Sequence, residues 1–143
     1  MKGLFIDDNE EIVVKFVLAQ DKSTNEFYVD VKKEGLEKTY ADKIDVNLVE
    51  EHEVVFKRPG FKDKTDILSK STSILGSNAD GMKISIDVAI ARFKAMVSLI
   101  KRWTFKDNDG NDVPVSEENV SKLDPFIAAI ISAQFDTQVG GMF

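Results

Sequence analysis

Two hydrophobic periods divide this sequence, and the change from one to the other constrains the fold more than any other feature. Over Glu11–Ala19 the residues of one face are apolar at every second position: Ile12, Val14, Phe16 and Leu18. A period of two is typical of a half-buried strand. Beyond Gly60 the apolar residues recur every three or four positions, which favours helices. The sequence therefore predicts an α+β fold, with N-terminal antiparallel strands followed by a C-terminal helical half.

The first sixty residues contain three candidate strands and one short helix. The polar stretch Asp21–Asn25 predicts a turn, and the alternation in Glu26–Val31 after it predicts the second strand of a hairpin. Within Gly35–Asn47 the apolar residues lie four apart, which suits a short helix: Leu36, Tyr40 and Ile44. Glu51–Phe56 predicts a further strand, and Pro59 with Gly60 ends it.

The next part of the chain predicts two helices. Asp63 is a candidate N-cap for a helix that runs to Leu75 and ends at Gly76, and Ser77–Gly81 is a predicted turn. A longer helix is predicted to end near Trp103, with one apolar stripe that we expect to be buried: Ile86, Ile90, Phe93, Val97 and Ile100. We expect Trp103 to be a core anchor that packs on the last helix, near Phe126 or Ile130.

The end of the chain carries clear capping signals. Ser116 can cap a short helix, and Asp124 followed by Pro125 predicts the start of the final helix. We expect one domain over residues 1–143, with 1–60 mainly β, 61–136 mainly α and 137–143 a loose tail, because Gly140 and Gly141 lie in that tail.

Composition excludes several classes of protein. The 143 residues are 43% hydrophobic with no cysteine, which predicts a globular chain without disulfides or thiolate sites. No apolar run approaches the roughly 20 residues of a membrane helix, and we expect a soluble intracellular protein with no membrane partner. Residues 1–60 hold nine basic and 14 acidic residues, and the net charge of the whole chain is −6. This acidic balance disfavours nucleic-acid binding.

No motif in the chain predicts catalysis or metal binding. His52 is the single histidine, so a multi-histidine metal site is excluded, and we expect a surface or edge residue there. Asp107–Asp112 resembles a calcium loop, but alignment on Gly110 places Phe105 at the first ligand position and Ser116 at the last. A connecting turn is the better interpretation. We expect no catalytic residue, no cofactor and no metal, and therefore no enzyme.

One segment resembles a known family. Trp103 at a helix end is followed by an Asp-rich turn, by Val-Pro-Val-Ser-Glu-Glu-Asn-Val and by a Leu-Asp-Pro start to the last helix. The order of these features resembles that in tail assembly chaperones of tailed bacteriophages, and the strand-to-helix passage Glu53–Asp63 is similar to the entry segment of those proteins. The resemblance covers about Glu53–Phe135. The resemblance implies a non-catalytic protein of the host cytoplasm that binds the tape-measure protein, the tail-tube protein or both. A structural subunit that stays in the tail, baseplate or neck of the virion is the alternative, and self-association is left open.

A chaperone of this kind needs exposed apolar groups for an amphipathic partner. The candidates are Phe61 beside Pro59-Gly60 and four residues near the C-terminal end: Phe135, Val139, Met142 and Phe143. A basic helix face could add steering toward acidic positions on the partner, through Lys94, Lys101 and Arg102.

Overall fold

The computed structural model describes residues 3–78 and 81–141, with side chains described outside 72–86. The described residues form one α+β domain with a four-stranded antiparallel sheet. Its elements are, in chain order, β1 (Glu11–Gln20), β2 (Phe27–Asp30), α1 (Lys33–Tyr40), β3 (Glu50–Lys57), α2 (Phe61–Lys70), β4 (Thr72–Asn78), β5 (Gly81–Ile86), α3 (Val88–Leu99), β6 (Ile100–Trp103), α4 (Glu117–Ser121) and α5 (Pro125–Val139). The predicted fold class is confirmed.

The large sheet has the strand order β2-β1-β3-β6, so β1 and β3 are central. The predicted hairpin is confirmed, because β1 pairs with β2 from Val17 opposite Asp30 to Gln20 opposite Phe27. The even-numbered residues of β1 from Ile12 to Leu18 face the helical half and join the main hydrophobic core. At the C-terminal end of β1, the opposite face of the strand packs on α1, and Leu36 and Ile44 are buried there in a second, smaller core.

The turn between β1 and β2 is held by one carboxylate. Asp21 Oδ1 accepts hydrogen bonds from the Ser23 and Thr24 backbone N–H groups at 2.8 and 3.2 Å, and Oδ2 accepts one from the Tyr28 hydroxyl at 2.7 Å. The Tyr28 bond is the main reason that the pKa of Asp21 lies well below its usual range. Reciprocally, Asp21 raises the pKa of Tyr28 to about 12. The hairpin turn is thus organised by local polar bonds.

The helix predicted from Asp63 to Leu75 is shorter and starts earlier. It begins at Phe61 after Gly60, and Asp63 lies within its first turn, where its carboxylate accepts the Gly60 N–H at 2.9 Å. The helix ends at Lys70, and Thr72–Asn78 then pairs with Gly81–Ile86 as a two-stranded sheet. A run of serine and threonine favours extended backbone over a helix interior, and cross-strand pairing completes this preference. Of the turn predicted at Ser77–Gly81, Ser77 and Asn78 belong to β4 and Gly81 begins β5, and Ala79 and Asp80 lie outside the described residues.

The long helix predicted to end near Trp103 ends instead at Leu99. Asp87 caps its start by accepting the Ile90 N–H at 3.1 Å. Residues Ile100–Trp103 form β6, which pairs antiparallel with β3 through Trp103 opposite Val54. The second edge of β3 carries backbone donors and acceptors that need partners, and β6 supplies them. A sequence window with helical spacing cannot reveal this distant pairing.

The apolar stripe predicted for this helix is wrong as a buried face. Ile90 is 44% exposed, Phe93 and Val97 are only partly buried, Ile100 is buried on β6, and the Ile86 side chain lies outside the described ones. The buried positions of α3 are instead Ala91, Ala95, Met96 and Leu99. Two alanines on this face permit a close approach of the helix to the core, so small residues are buried and larger ones flank them.

The last two helices start where the capping signals predict. The Ser116 hydroxyl accepts the Asn119 N–H at 3.1 Å, and the Asp124 carboxylate accepts the Phe126 N–H at 2.8 Å, with Pro125 in the first helical position. The final helix continues into the segment predicted as a loose tail and ends at Val139, where Gly140 adopts the left-handed conformation with φ 77°.

The last helix also covers an open edge of the sheet. The β1–β2 pairing ends at Val17, and within the described part of the chain no strand pairs with the preceding part of β1 on that side. The side-chain amides of Gln134 and Gln138 donate to the carbonyls of Lys15 and Val13, at 2.9 and 2.8 Å. Residues four apart on a helix therefore satisfy carbonyls two apart on a strand, which protects an edge from pairing with another chain.

Candidate partner-binding surfaces

Those predicted partner-binding residues that the structure describes do not form one surface. Phe61 and Val139 line a common groove, whereas Phe135 is in the core. Lys94 lies on α3, and Lys101 and Arg102 lie on β6. Met142 and Phe143 are outside the described residues. The groove shared by Phe61 and Val139 is therefore the part of the prediction that the fold brings together.

We call this groove the basic groove. It has a volume of about 210 Å³ and lies between the start of α2 and the end of α5, and its lining consists of Ile6, Arg58, Pro59, Gly60, Phe61, Lys64, Val139 and Gly141. Among the described residues, the lining carries two cations, Arg58 and Lys64, and no carboxylate. Arg58 also contacts Glu10, with Nε 3.4 Å from Oε2. A lining that combines apolar residues with two cations suits an amphipathic partner with acidic flanks.

Phe61 projects from this groove into solvent because of how α2 begins. It is the first residue of the helix and is 89% exposed. The start is held by the bond from the Gly60 N–H to Asp63, and by Lys57 Nζ at 3.3 Å from the same carboxylate. The Gly60 bond is the main cause of the lowered pKa of Asp63. A fixed helix start thus presents a large aromatic side chain to solvent.

The predicted basic helix face does not exist as such. Lys101 and Arg102 follow the end of α3 and both contact Glu11: the Arg102 guanidinium in two bonds of 2.7 and 3.0 Å, and Lys101 Nζ at 3.1 Å. The Arg102 bond leads the causes that lower the pKa of Glu11 to about 2. Lys94 Nζ lies 5.9 Å from the centre of the Phe93 ring. Lys101 and Arg102 thus pair with a carboxylate of their own chain.

Phe135 is not available to a partner, which contradicts the prediction. Its side chain is 3% exposed, and its ring stacks on that of Phe56 with 4.3 Å between centroids. The residue lies on the inner side of α5, and β3 supplies the opposing ring. The helical period of the last segment was evident in the sequence, but the side on which the sheet lies was not.

A second groove, which sequence reasoning missed, lies at the β1–β2 turn. It has a volume of about 830 Å³ and runs between this turn, the segment around Leu48 and the start of α5. Its apolar lining includes Phe27, Leu48, Val49 and Ile127, and its charged lining consists of Asp21, Lys22, Asp45 and Glu50. Leu48 is 71% exposed. We call this surface the acidic groove, because three carboxylates face one lysine.

No local pattern marked the acidic groove. Phe27 is the first residue of β2, and Leu48 belongs to a single helical turn, so each reads as an ordinary apolar residue of its own element. Only the packing of α5 beside the turn brings Ile127 to them. Ile6, Arg58 and Lys64 of the basic groove were missed for the same reason, although Phe61 pointed to that region.

His52 has a structural environment. It lies on the central strand β3, and not at an edge of the sheet as predicted, with its side chain 13% exposed. Its ring lies 5.7 Å from the Phe16 ring and 5.2 Å from the Phe105 ring, measured between centroids. Its Nδ1 lies 3.1 Å from Thr104 Oγ1, and its Nε2 lies 3.1 Å from Glu50 Oε2. The histidine links β3 to the segment after β6.

The acidic loop Asp107–Asp112 closes on itself. Asp107 Oδ1 accepts the backbone N–H groups of Asp109 and Asn111, both at 2.9 Å. Those bonds direct the carboxylate inward, as in a polar turn. Within residues 3–78 and 81–141 no group of three histidine, aspartate or glutamate side chains is arranged to hold a metal ion.

Trp103 packs differently from the prediction. It partly covers the main core from β6, its ring lies 5.1 Å from that of Phe105, and its indole N–H donates to the Val113 carbonyl at 2.6 Å. Phe126, one of its predicted partners, is 78% exposed. The indole thus ties β6 to the Val-Pro-Val segment.

Among the helices of the described chain, none has both the length and the apolar character needed to cross a membrane. Comparison with protein-family models, with curated proteins and with solved structures finds no match to this chain.

Proposed function

We propose that this protein is a non-catalytic factor of phage tail morphogenesis, which binds the tape-measure protein, the tail-tube protein or both during assembly. The observation that carries the proposal is the basic groove with Phe61 fully presented at its edge. The phage assignment itself rests on the resemblance over Glu53–Phe135.

A helix-binding role is the one that the basic groove supports best. An aromatic side chain exposed beside an apolar groove is a common anchor of protein interfaces, because its burial upon binding removes a large area from water. Arg58 and Lys64 border the same groove and would attract acidic positions that flank the apolar stripe of a partner helix. A tape-measure chain of long amphipathic helices would offer such stripes at helical spacing.

Co-expression with the tape-measure protein of the encoding phage tests the proposal. We expect Phe61→Ser to abolish co-purification and to leave the circular dichroism spectrum unchanged, because Phe61 contributes little to the core. Phe126→Ser is the matched control, since Phe126 is also exposed but lies in the first turn of α5, at the other end of that helix from the basic groove. It lies 13 residues from Val139, or about 20 Å along the helix. Equal capture of both variants and the unmodified chain would refute the basic groove as the partner site.

A structural subunit retained in the virion is the second candidate. The acidic groove favours it, because a subunit embedded in an assembly needs a second docking surface away from the first. Mass spectrometry of purified virions separates the candidates. A transient chaperone is absent from the finished particle, whereas a subunit is recovered in stoichiometric amount.

A further inference from the structure

The basic groove and the acidic groove lie at opposite ends of the domain. Val139 near the end of α5 lines the first, and Ile127 near its start lines the second. These positions are 12 residues apart, or about 18 Å along a helix. The sheet has the same polarity: β1 ends at Gln20 in the acidic groove, and β3 leads into Arg58 of the basic groove beside the start of β1. Ten residues of extended strand separate the two ends by roughly 30 Å.

The two surfaces are complementary in charge. Among the described residues, the lining of the basic groove contributes two cations, Lys64 and Arg58, of which Arg58 also contacts Glu10, and no carboxylate. The acidic groove contributes three carboxylates, Asp21, Asp45 and Glu50, against Lys22, a balance of −2. Asp21 serves the β1–β2 turn, and Asp45 accepts the Asn47 N–H at 2.9 Å at the start of the single helical turn that contains Leu48. Asp21 is buried and Asp45 is half-buried, whereas the Glu50 side chain is 72% exposed and contacts His52. Glu50 is therefore the carboxylate that a cation of a partner would meet.

The two surfaces also present different apolar groups. Phe61 is 89% exposed at the smaller, basic groove. The acidic groove is an open cleft of about 830 Å³ with Phe27, Leu48 and Ile127 in its lining. An exposed aromatic ring on one surface can therefore enter a cleft with apolar lining residues on the other.

We propose that the basic groove of one copy binds the acidic groove of a second copy, with Phe61 inserted between Phe27 and Leu48. Because the two surfaces differ and lie at opposite ends, the contact is head to tail and leaves one groove free at each end of a dimer. Such contacts generate rings or open filaments, whereas a symmetric dimer would use the same patch twice. The occupant is a second copy because this chain itself supplies both complementary surfaces.

Self-association of this kind requires local complementarity, since each copy carries a net charge of −6 and copies repel one another at a distance. The attraction between the rims acts over about 10 Å at 0.1 M salt. Salt screens both the local attraction and the repulsion between the net charges, so we expect the charge contribution to appear as the difference between the unmodified chain and a charge variant. The apolar insertion of Phe61 supplies the part of the association that persists in high salt.

Sedimentation of the full chain and two variants tests the arrangement. We expect the unmodified chain to form species larger than a dimer as its concentration rises. Phe61→Ser removes the projecting ring and Leu48→Ser removes the receiving cleft, and each alone should weaken association about 30-fold, as expected for an interface hot spot. Ile90→Ser is the control, because Ile90 is exposed on α3 and lines neither groove.

The decisive sample is an equimolar mixture of Phe61→Ser and Leu48→Ser. Each variant retains one intact groove, so a head-to-tail contact gives a heterodimer of twice the monomer mass and nothing larger. A mixture that stays monomeric overturns the proposal, as does an unmodified chain that remains monomeric up to about 1 mM. Lys64→Glu gives a check without loss of an apolar side chain, since it should weaken association at low salt and have little effect at high salt.

This inference goes beyond the proposed function and does not depend on it. Capture of a tape-measure protein and assembly with further copies use the same basic groove, so the two should compete. Sedimentation of the purified chain tests self-association without any partner, and co-purification tests partner binding, so failure of one leaves the other intact.

Discussion

Replacement of Phe135 with alanine should destabilise the fold by about 3–5 kcal/mol. The Phe135 side chain is 3% exposed, and a buried phenylalanine removes roughly 150–250 Å² from water. At about 25 cal/mol per Å² this burial is worth roughly 4–6 kcal/mol, of which the alanine retains a small part. Its ring also stacks on Phe56 at 4.3 Å, and such a pair contributes about 0.5–1.5 kcal/mol beyond area.

Urea unfolding followed by circular dichroism measures this loss. With a slope of about 2 kcal/mol per molar urea, the midpoint of the Phe135→Ala variant should lie about 2 M below that of the unmodified chain. Phe126→Ala is the matched control, because the same substitution on the same helix removes a ring that is already exposed to solvent. We expect it to change the free energy of unfolding by less than about 0.5 kcal/mol. A loss below about 1.5 kcal/mol at Phe135, or equal losses at both positions, would refute the buried position of Phe135.

Three further predictions concern other parts of the fold. The pKa of Glu11 is lowered from 4.5 to about 2 in the folded chain, so the contribution of Glu11 to stability is present above pH 4.5 and is lost as the pH falls toward 2. Glu11→Gln should therefore flatten the pH dependence of the unfolding midpoint between these two pH values. An unchanged pH dependence would argue against the ion pairs of Glu11 with Lys101 and Arg102. Truncation after Phe135 should reduce the free energy of unfolding by about 1–2 kcal/mol relative to truncation after Gly141, because the shorter chain lacks the Gln138 bond to the Val13 carbonyl and the packing of Val139. Equal stability of the two truncated chains would contradict a stabilising contact between the end of α5 and the edge of β1. The fluorescence of Trp103, the only tryptophan, should be blue-shifted from that of free tryptophan and should move to the red in Phe105→Ala; emission at the free-tryptophan wavelength in the folded chain would show that the indole is in water.

Local chemistry in the sequence was sufficient to predict the elements whose boundaries depend on nearby residues. The alternation over Glu11–Ala19 predicted β1, and the polar turn after it predicted the hairpin, since strand period and turn chemistry act within a few residues. Ser116 and Asp124 likewise predicted the starts of α4 and α5, because a capping side chain bonds only to backbone two or three positions away.

The tertiary structure alone decided the features that depend on distant partners. Ile100–Trp103 has helical spacing in the sequence, yet it forms a strand because β3 offers an unpaired edge. Ala91 and Ala95 form the inner side of α3 because the close approach of the helix to the core selects small side chains there. In each case, non-local packing outweighs a weak local preference.

The same distinction applies to the candidate surfaces. The sequence could predict that Pro59 and Gly60 end a strand and that Phe61, beside them, is a candidate for an exposed apolar residue. It could not predict that Phe135 stacks on Phe56, that Glu11 binds Lys101 and Arg102, or that Phe27, Leu48 and Ile127 share one cleft. Residues far apart in the chain become neighbours only when the sheet and the last helix pack together, and exposure is a property of that packing.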